Sequence, residues 1–340
     1  NSPRKLAETG DILVSVRAPV GDVNIAPIEC CIGRGLAALR GTKIHNDYLY
    51  FVMNYFKDTL VKIGQGSTFE AINKRDIFEL KIPFPTISEQ KKIAEVLLSV
   101  DEAIDKKQEI IEKTKMLKKG LMQELFTHGI GHKKFKETEI GKIPVDWEVV
   151  KIEDTCEVVG GSTPSTNVKE FWNGGINWAI PTDITKLKGN LISSTEKSIT
   201  ERGLSNCAAK ILPIGSILLT SRATIGECAI NLKPMATNQG FASLICKDKV
   251  YNWFVFYRIK YMRKEIERLG NGSTFNEVSK KSIRGLKILI PLLSEQKKIA
   301  EILTSVDEVI EKEMAQKERI EKIKKGLMQV LLTGKIRVKI

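Results

Sequence analysis

The sequence has little of what would make it a membrane, secreted or metal-binding protein. No apolar run approaches the roughly 20 residues of a membrane span. No secretory leader precedes Leu6, so the expected location is the cytoplasm. The six cysteines (Cys30, Cys31, Cys156, Cys207, Cys228, Cys246) form no CxxC pair and have no histidine at metal spacing. They read as reduced, mostly buried thiols, and no metal is expected. His128 and His132 stand at i, i+4, but Gly129 and Gly131 lie between them where a ligand pair needs a rigid helix. There is no GxxxxGK[ST] loop, so Gly160-Gly161-Ser162 reads as a turn and no nucleotide cofactor is expected. Asp76 with Glu79 and Lys81 superficially suggests a metal nuclease. Ser282 and Gly285 occupy the equivalent places in a second copy of the motif, however, and the stretch ELKIPFP (79 to 85) reads as a short strand.

What is present is charge and a repeat. The chain has 340 residues, 42% of them hydrophobic, which supports two folded domains, and a net charge of +13. Residues 88 to 128 and 294 to 333 each carry as many acids as bases, so the excess lies in the globular parts. That distribution favours globular domains meeting a polyanion over basic helices lying along one.

The stretch SEQKKIAEVLLSVDEAIDKK, starting at Ser88, returns as SEQKKIAEILTSVDEVIEKE, starting at Ser294, an internal repeat of about 206 residues. Between Gly64 and Thr127 and their counterparts, roughly 35 of 64 positions match without a gap, too many for chance similarity of two helices. Each copy reads as one helix of about 60 Å, with Ser88 or Ser294 as N-cap and Pro85 or Pro291 upstream. Ile93, Leu97, Val100, Ile104, Leu121 and Leu125 follow 3-4 spacing. Ile299, Leu303, Val306, Ile310, Leu327 and Leu331 do the same, a seam for a partner helix. Lys107, Thr114, Glu313 and Lys317 interrupt the seam midway. Gly120 and Gly326 break the helical pattern in both copies, indicating either close helix approach or a plain kink.

Along the chain, residues 6 to 40 alternate β-rich runs with turns, and residues 47 to 63 suit a packing helix. Thr127 to Pro144 reads as a linker. Residues 147 to 178 have no counterpart in the first half, and from Gly215 the repeat resumes, GSILLTSRATIGECAI aligning with GDILVSVRAPVGDVNI so that Arg222 pairs with Arg17. The second unit has far more chain ahead of this run than the first. The expectation is that the chain begins within its first globular domain, leaving exposed sheet edges and an incomplete core there.

Taken together, IGKIPVDWEVVKI, GGSTP, INWAIPTDI, the Asn238-Gln239-Gly240 triplet, GNGSTF, IPLLSEQKKIAEIL and GLMQVLLTGKIR resemble the DNA-specificity subunit of type I restriction-modification enzymes across the whole chain. The resemblance implies α/β (α+β) target-recognition domains alternating with two long helices that pair as an antiparallel coiled coil. Its implied boundaries are the end of a first recognition domain (1–87), a spacer helix (88–128), a linker (129–143), a second recognition domain (144–293), a second spacer helix (294–333) and a basic tail (334–340). It further implies a non-catalytic subunit that binds double-stranded DNA with a two-part target and docks two modification (methyltransferase) subunits, with ATP-dependent restriction subunits joining later. No Asn-Pro-Pro-aromatic tetrapeptide of a base-flipping methyltransferase occurs. The rival readings are a fragment of a single-chain restriction or methyltransferase enzyme, and a coiled-coil scaffold.

For DNA reading the candidates are loop residues whose side chains can donate to bases or phosphates, Arg forking onto guanine and Asn or Gln pairing bidentately with adenine. These are Ser162, Thr163, Arg222, Thr224, Asn238 and Gln239 in the second domain, with Arg34 in the first at the position aligned with Gln239. Arg17 and Arg222 are identical between copies and cannot distinguish two targets, so they hold phosphate or a structural carboxylate. Ser273 and Thr274 either present backbone N–H groups to phosphate or make a tight connection into the last strand.

Overall fold

A computed structural model describes residues 5–65, 71–270 and 277–339. Two compact units divide the chain. One comprises residues 1–111 and 313–340, the other residues 112–312, so each contains one stretch from both long helices.

The first long helix spans Ile87–Thr127 and the second Leu293–Leu331. Both begin before the expected serine caps. At the first, Thr86 takes the capping role: its Oγ1 accepts from Glu89 N–H at 3.4 Å, and Glu89 Oε2 accepts from Thr86 N–H at 3.2 Å. Neither glycine approaches a neighbour. A Cβ built at Gly120 or Gly326 meets nothing within 4 Å, which removes close helix approach as their explanation.

The repeated Ser-Glu-Gln motif owes its identity to two anchors. Gln90 is buried and donates through Nε2 to Pro85 O at 2.9 Å, while its Oε1 accepts from His45 N–H at 2.8 Å, just ahead of the helix Asn46–Tyr55. Gln296 does the same with Pro291 O at 2.9 Å and Tyr251 N–H at 2.8 Å, ahead of the helix Asn252–Tyr261. The glutamine thus ties a long helix to the packing helix of its own domain. The preceding glutamate binds the chain that follows a long helix. Glu89 pairs with Arg337, and Glu295 accepts from Ile130 N–H at 2.9 Å, from Trp147 Nε1 at 3.1 Å and contacts His132 Nε2 at 2.9 Å. His132 is therefore held by a carboxylate, which the sequence did not reveal.

Within the first unit Ile93 and Leu97 share a core with Tyr48, Phe51, Leu331 and Leu332, with Leu327 against it. Further along, Asp101 pairs with Lys324, and Lys107 with Glu313 at 2.7 Å. Lys317 donates to Gln108 at 2.9 Å, so three of the four polar residues that interrupt the seam have partners on the opposite helix. The order of partners runs oppositely along the two helices. Within the second unit Leu125, Ile299 and Leu303 join a core with Phe126, Trp147 and Phe254, and Leu121 packs on it. There the Asp307 carboxylate accepts from Lys118, from Asn190 Nδ2 at 2.8 Å and from Tyr257 OH at 2.8 Å. Desolvation lowers the Lys118 pKa, and Asp307 opposes that shift. Ile310 is buried, while Val100, Ile104 and Val306 are half-buried.

The first unit holds a three-stranded antiparallel sheet in the order Val23–Ile25, Ile12–Ser15, Leu36–Leu39. Its counterpart in the second unit has five strands, because Leu191–Ile192 and Cys156–Gly160 flank the equivalent three. Both extra strands lie ahead of Gly215, where the repeat resumes. The same asymmetry corrects the strand expected over 79 to 85, where no strand forms. In the second unit Lys287–Ile290 is a strand because Glu148–Lys151 pairs with it. A strand needs a ladder partner, and none stands beside residues 79 to 85 among the described residues. Residues 47 to 63 likewise divide into two helices, Asn46–Tyr55 and Lys57–Gln65. Phe135–Thr138 and Gly141–Pro144 form a hairpin inside the stretch read as linker. Asp76 caps the helix Lys74–Phe78, its carboxylate accepting from Asn73 N–H at 2.7 Å. No helix of the described residues is long and apolar enough to cross a membrane.

Candidate nucleic-acid interface

Three loops of the second unit gather at one end of the five-stranded sheet. The strand Cys156–Gly160 leaves toward Ser162 and Thr163. Ala242–Cys246 runs antiparallel to it, so Asn238 and Gln239 arrive at the same end, and Ile217–Leu219 delivers the turn with Arg222 and Thr224 there too. Backbone bonds knit the loops. Ser162 N–H donates to Thr237 O at 2.9 Å, Ser221 N–H to Gly240 O at 2.7 Å, and Val278 N–H to Ser221 O at 3.0 Å. A Cβ on Gly161 would lie 2.0 Å from Asn238 O, so only glycine lets these two loops close. Trp178 supports them from below, donating from Nε1 to Ser162 O at 3.0 Å and contacting the Trp172 ring edge-on at 5.0 Å between centroids.

Five of the six second-domain candidates present a group here, in different ways. Gln239 is exposed, and its Oε1 accepts from the Thr163 hydroxyl, which orients the amide. Asn238 Oδ1 is used within its own turn, accepting from Gly240 N–H at 2.9 Å. Ser162 is half-buried, and its backbone N–H and carbonyl bond Thr237 O and Trp178 Nε1. The Arg222 guanidinium sits 2.8 Å from Glu277 Oε2, so it holds a carboxylate, one of the two roles open to it. Thr224 is not presented: its Oγ1 is buried with no hydrogen-bond partner.

The first unit repeats the frame. Val16 N–H donates to Gly35 O at 2.8 Å and Ile72 N–H to Val16 O at 2.9 Å, the counterparts of the Ser221 and Val278 bonds. Arg17 bridges Ala71 through the backbone as Arg222 bridges Glu277. Arg34 stands exposed in the turn before Gly35, where Gln239 stands before Gly240. Because alanine occupies the place of Glu277, the Arg17 side chain has no ion pair among the described residues. Ser273 and Thr274, and most of their twin loop at 64 to 69, lie outside the described residues.

Sequence reasoning missed Glu277, Trp178 and Lys280, whose side chain lies over Gly160. For Lys280 a signal existed, since Lys74 occupies the same place in the repeat. For Glu277 there was none, because its counterpart is Ala71.

The family model for the type I restriction modification DNA specificity domain matches residues 3–116 and again 144–322. The chain belongs to that family. Among its relatives, the putative type I restriction enzyme MjaX specificity subunit of Methanocaldococcus jannaschii is 36% identical over 97% of this chain and 79% of the relative. The MjaIX specificity subunit of the same organism is 46% identical, but over 56% of this chain and 44% of its own length. The chain therefore spans less than half of one of these relatives and about four fifths of the other. A chain from a structure described as the basis of complex assembly and conformational transition of the type I R-M system aligns with a TM-score of 0.65, 18% identity, and coverage of 98% of this chain and 84% of that one. The type I restriction-modification S subunit from M. genitalium gives 0.61 and 17%, covering 96% and 83%. At such identities the likeness speaks to the fold of this specificity family.

Proposed function

We propose that this chain is the DNA-specificity subunit of a type I restriction-modification complex, non-catalytic itself, with each recognition domain reading one half of a two-part duplex target. The observation that carries this reading is the repeated loop frame with different side chains on it: Arg34 before Gly35 in one unit and Gln239 before Gly240 in the other. Arginine forks onto guanine O6 and N7, glutamine onto adenine N6 and N7, so a shared frame with different readers suits two different half-sites. In this reading Arg17 and Lys280 meet phosphate, which positions the protein without specifying sequence.

In this reading the long helices pair as an antiparallel coiled coil, supported by the opposed order of the ion pairs Asp101 to Lys324 and Lys107 to Glu313. They separate the half-sites and offer the surface on which two methyltransferase subunits dock, with restriction subunits joining them. Methyl transfer and cleavage belong to those partners, and the working location is the cytoplasm.

The test is to reconstitute the chain with methyltransferase subunits and map the methylated sites. Arg34→Ala should relax preference in one half-site and Gln239→Ala in the other, each by about 1–3 kcal/mol. Equal weakening on all sequences would assign both residues to phosphate and remove them as readers.

A further inference from the structure

Two cysteines of the second unit occupy a place that its DNA-reading role does not use. Cys156 and Cys246 are register partners on the antiparallel strands Cys156–Gly160 and Ala242–Cys246. Lys247 N–H donates to Thr155 O at 2.9 Å just outside the pair. The ladder bonds therefore flank the two cysteines instead of joining them, the arrangement in which opposed residues approach most closely, with Cα atoms about 4.5 Å apart. Disulfides accept Cα separations of about 4.4–6.8 Å. The two sulfurs lie 3.7 Å apart, so rotation about the Cα–Cβ bonds brings them together without moving either strand. All six cysteines are free thiols, and these two are the pair in sulfur contact among the described residues.

We infer that Cys156 and Cys246 form an oxidation site that takes a two-electron peroxide oxidant and closes to a cross-strand disulfide beneath the recognition loops. One thiolate attacks a peroxide oxygen, the O–O bond breaks, and a sulfenic acid and hydroxide result. The second thiolate attacks that sulfur and displaces the remaining hydroxide, while the two thiol protons convert both hydroxides to water. Two thiols and one hydrogen peroxide thus give one disulfide and two waters. Cys246 is half-buried, which admits a small oxidant, and Cys156 is buried. The hydrogen bond between the two thiols holds Cys156 below its ordinary value against the opposing effect of burial and pushes Cys246 up, so Cys156 is the thiolate that attacks the peroxide and Cys246 the thiol that resolves the sulfenic acid.

The bond would lock the far end of two strands whose near ends, Gly160 and Ala242, flank the loops carrying Thr163 and Gln239. It would also close a sequence separation of 90 residues, restricting the unfolded chain. The experiment treats the full chain with hydrogen peroxide, blocks remaining thiols with N-ethylmaleimide, and maps a non-reducing digest by mass spectrometry. The expected product is a linked peptide pair containing Cys156 and Cys246, about 2 Da lighter than the two thiol peptides and split by dithiothreitol, with a Tm that rises on oxidation and falls on reduction. Recovery of both cysteines alkylated, or oxidised to sulfinic acid without a link, would overturn the proposal. A Cys246→Ser chain should show no oxidant-dependent rise in Tm, and an undiminished rise would place the effect elsewhere and also overturn it. Should that variant fail to fold, the linked-peptide map of the unmodified sequence decides alone.

Discussion

Replacing Gln296 by alanine tests the account of why Ser-Glu-Gln is repeated. The side chain is 1% exposed. Truncation removes the acceptor for Tyr251 N–H and the donor for Pro291 O, bonds of 2.8 and 2.9 Å. An unsatisfied buried donor or acceptor costs about 1–3 kcal/mol, so two stranded groups predict a loss of about 2–6 kcal/mol, toward the lower end where water enters the vacated space. Gln296→Glu keeps the acceptor and loses the donor, and should fall between. The twin substitution Gln90→Ala strands His45 N–H and Pro85 O and should cost a similar amount in the other unit. Urea unfolding reads the magnitude, and amide hydrogen exchange reads the place. The Tyr251 amide should lose protection in Gln296→Ala and keep it in Gln90→Ala, with the reverse for His45. A change below about 0.5 kcal/mol with both amides still protected would refute the anchor, because no buried polar loss is that small.

Two further outcomes follow from the long helices. Gly120→Ala and Gly326→Ala meet open space inside regular helix, so each should stabilise by up to about 1 kcal/mol, measured by urea unfolding; destabilisation would show that the glycines answer a constraint other than contact. Arg337 holds the Glu89 carboxyl down to about 2 through its hydrogen bond to that side chain, below the ordinary 4.5. The folded value lies beneath the unfolded one, so the contribution is present above about pH 4.5 and fades as pH falls toward about 2. In Arg337→Ala the Glu89 carboxyl should titrate higher by NMR, and part of this acid dependence should disappear.

The long helices were legible because their signal is local: 3-4 spacing and a near-identical second copy define them without knowledge of tertiary partners. The start of the first was not, because the serine of the motif looked like a cap while Thr86 takes that role. The strand expected over residues 79 to 85 failed for a non-local reason. The apolar pattern matches Lys287–Ile290, but only the second copy has Glu148–Lys151 to complete the ladder. In the candidate interface, loop composition and alignment brought Arg34 and Gln239 to equivalent places, and the geometry set them in the same frame. Nothing in the sequence distinguished Arg17 from Arg222. The difference comes from a residue more than fifty positions away, Glu277 in one copy and Ala71 in the other, which ties one guanidinium and leaves the other without that carboxylate. Thr224 looked like a surface hydroxyl because it sits beside Arg222, yet the turn folds its Oγ1 inward.

The central claim, two readers held apart by a helical spacer, is tested most directly by lengthening the spacer. Four residues inserted between 105 and 115 add about 6 Å and slightly more than one helical turn, close to two base-pair steps of about 3.4 Å. Two residues would instead rotate the seam out of register and disrupt the complex. Mapping the sites methylated by the reconstituted complex should return the same two half-site sequences with the gap between them widened by one or two base pairs. The original gap at full affinity, or a single uninterrupted site, would contradict the account.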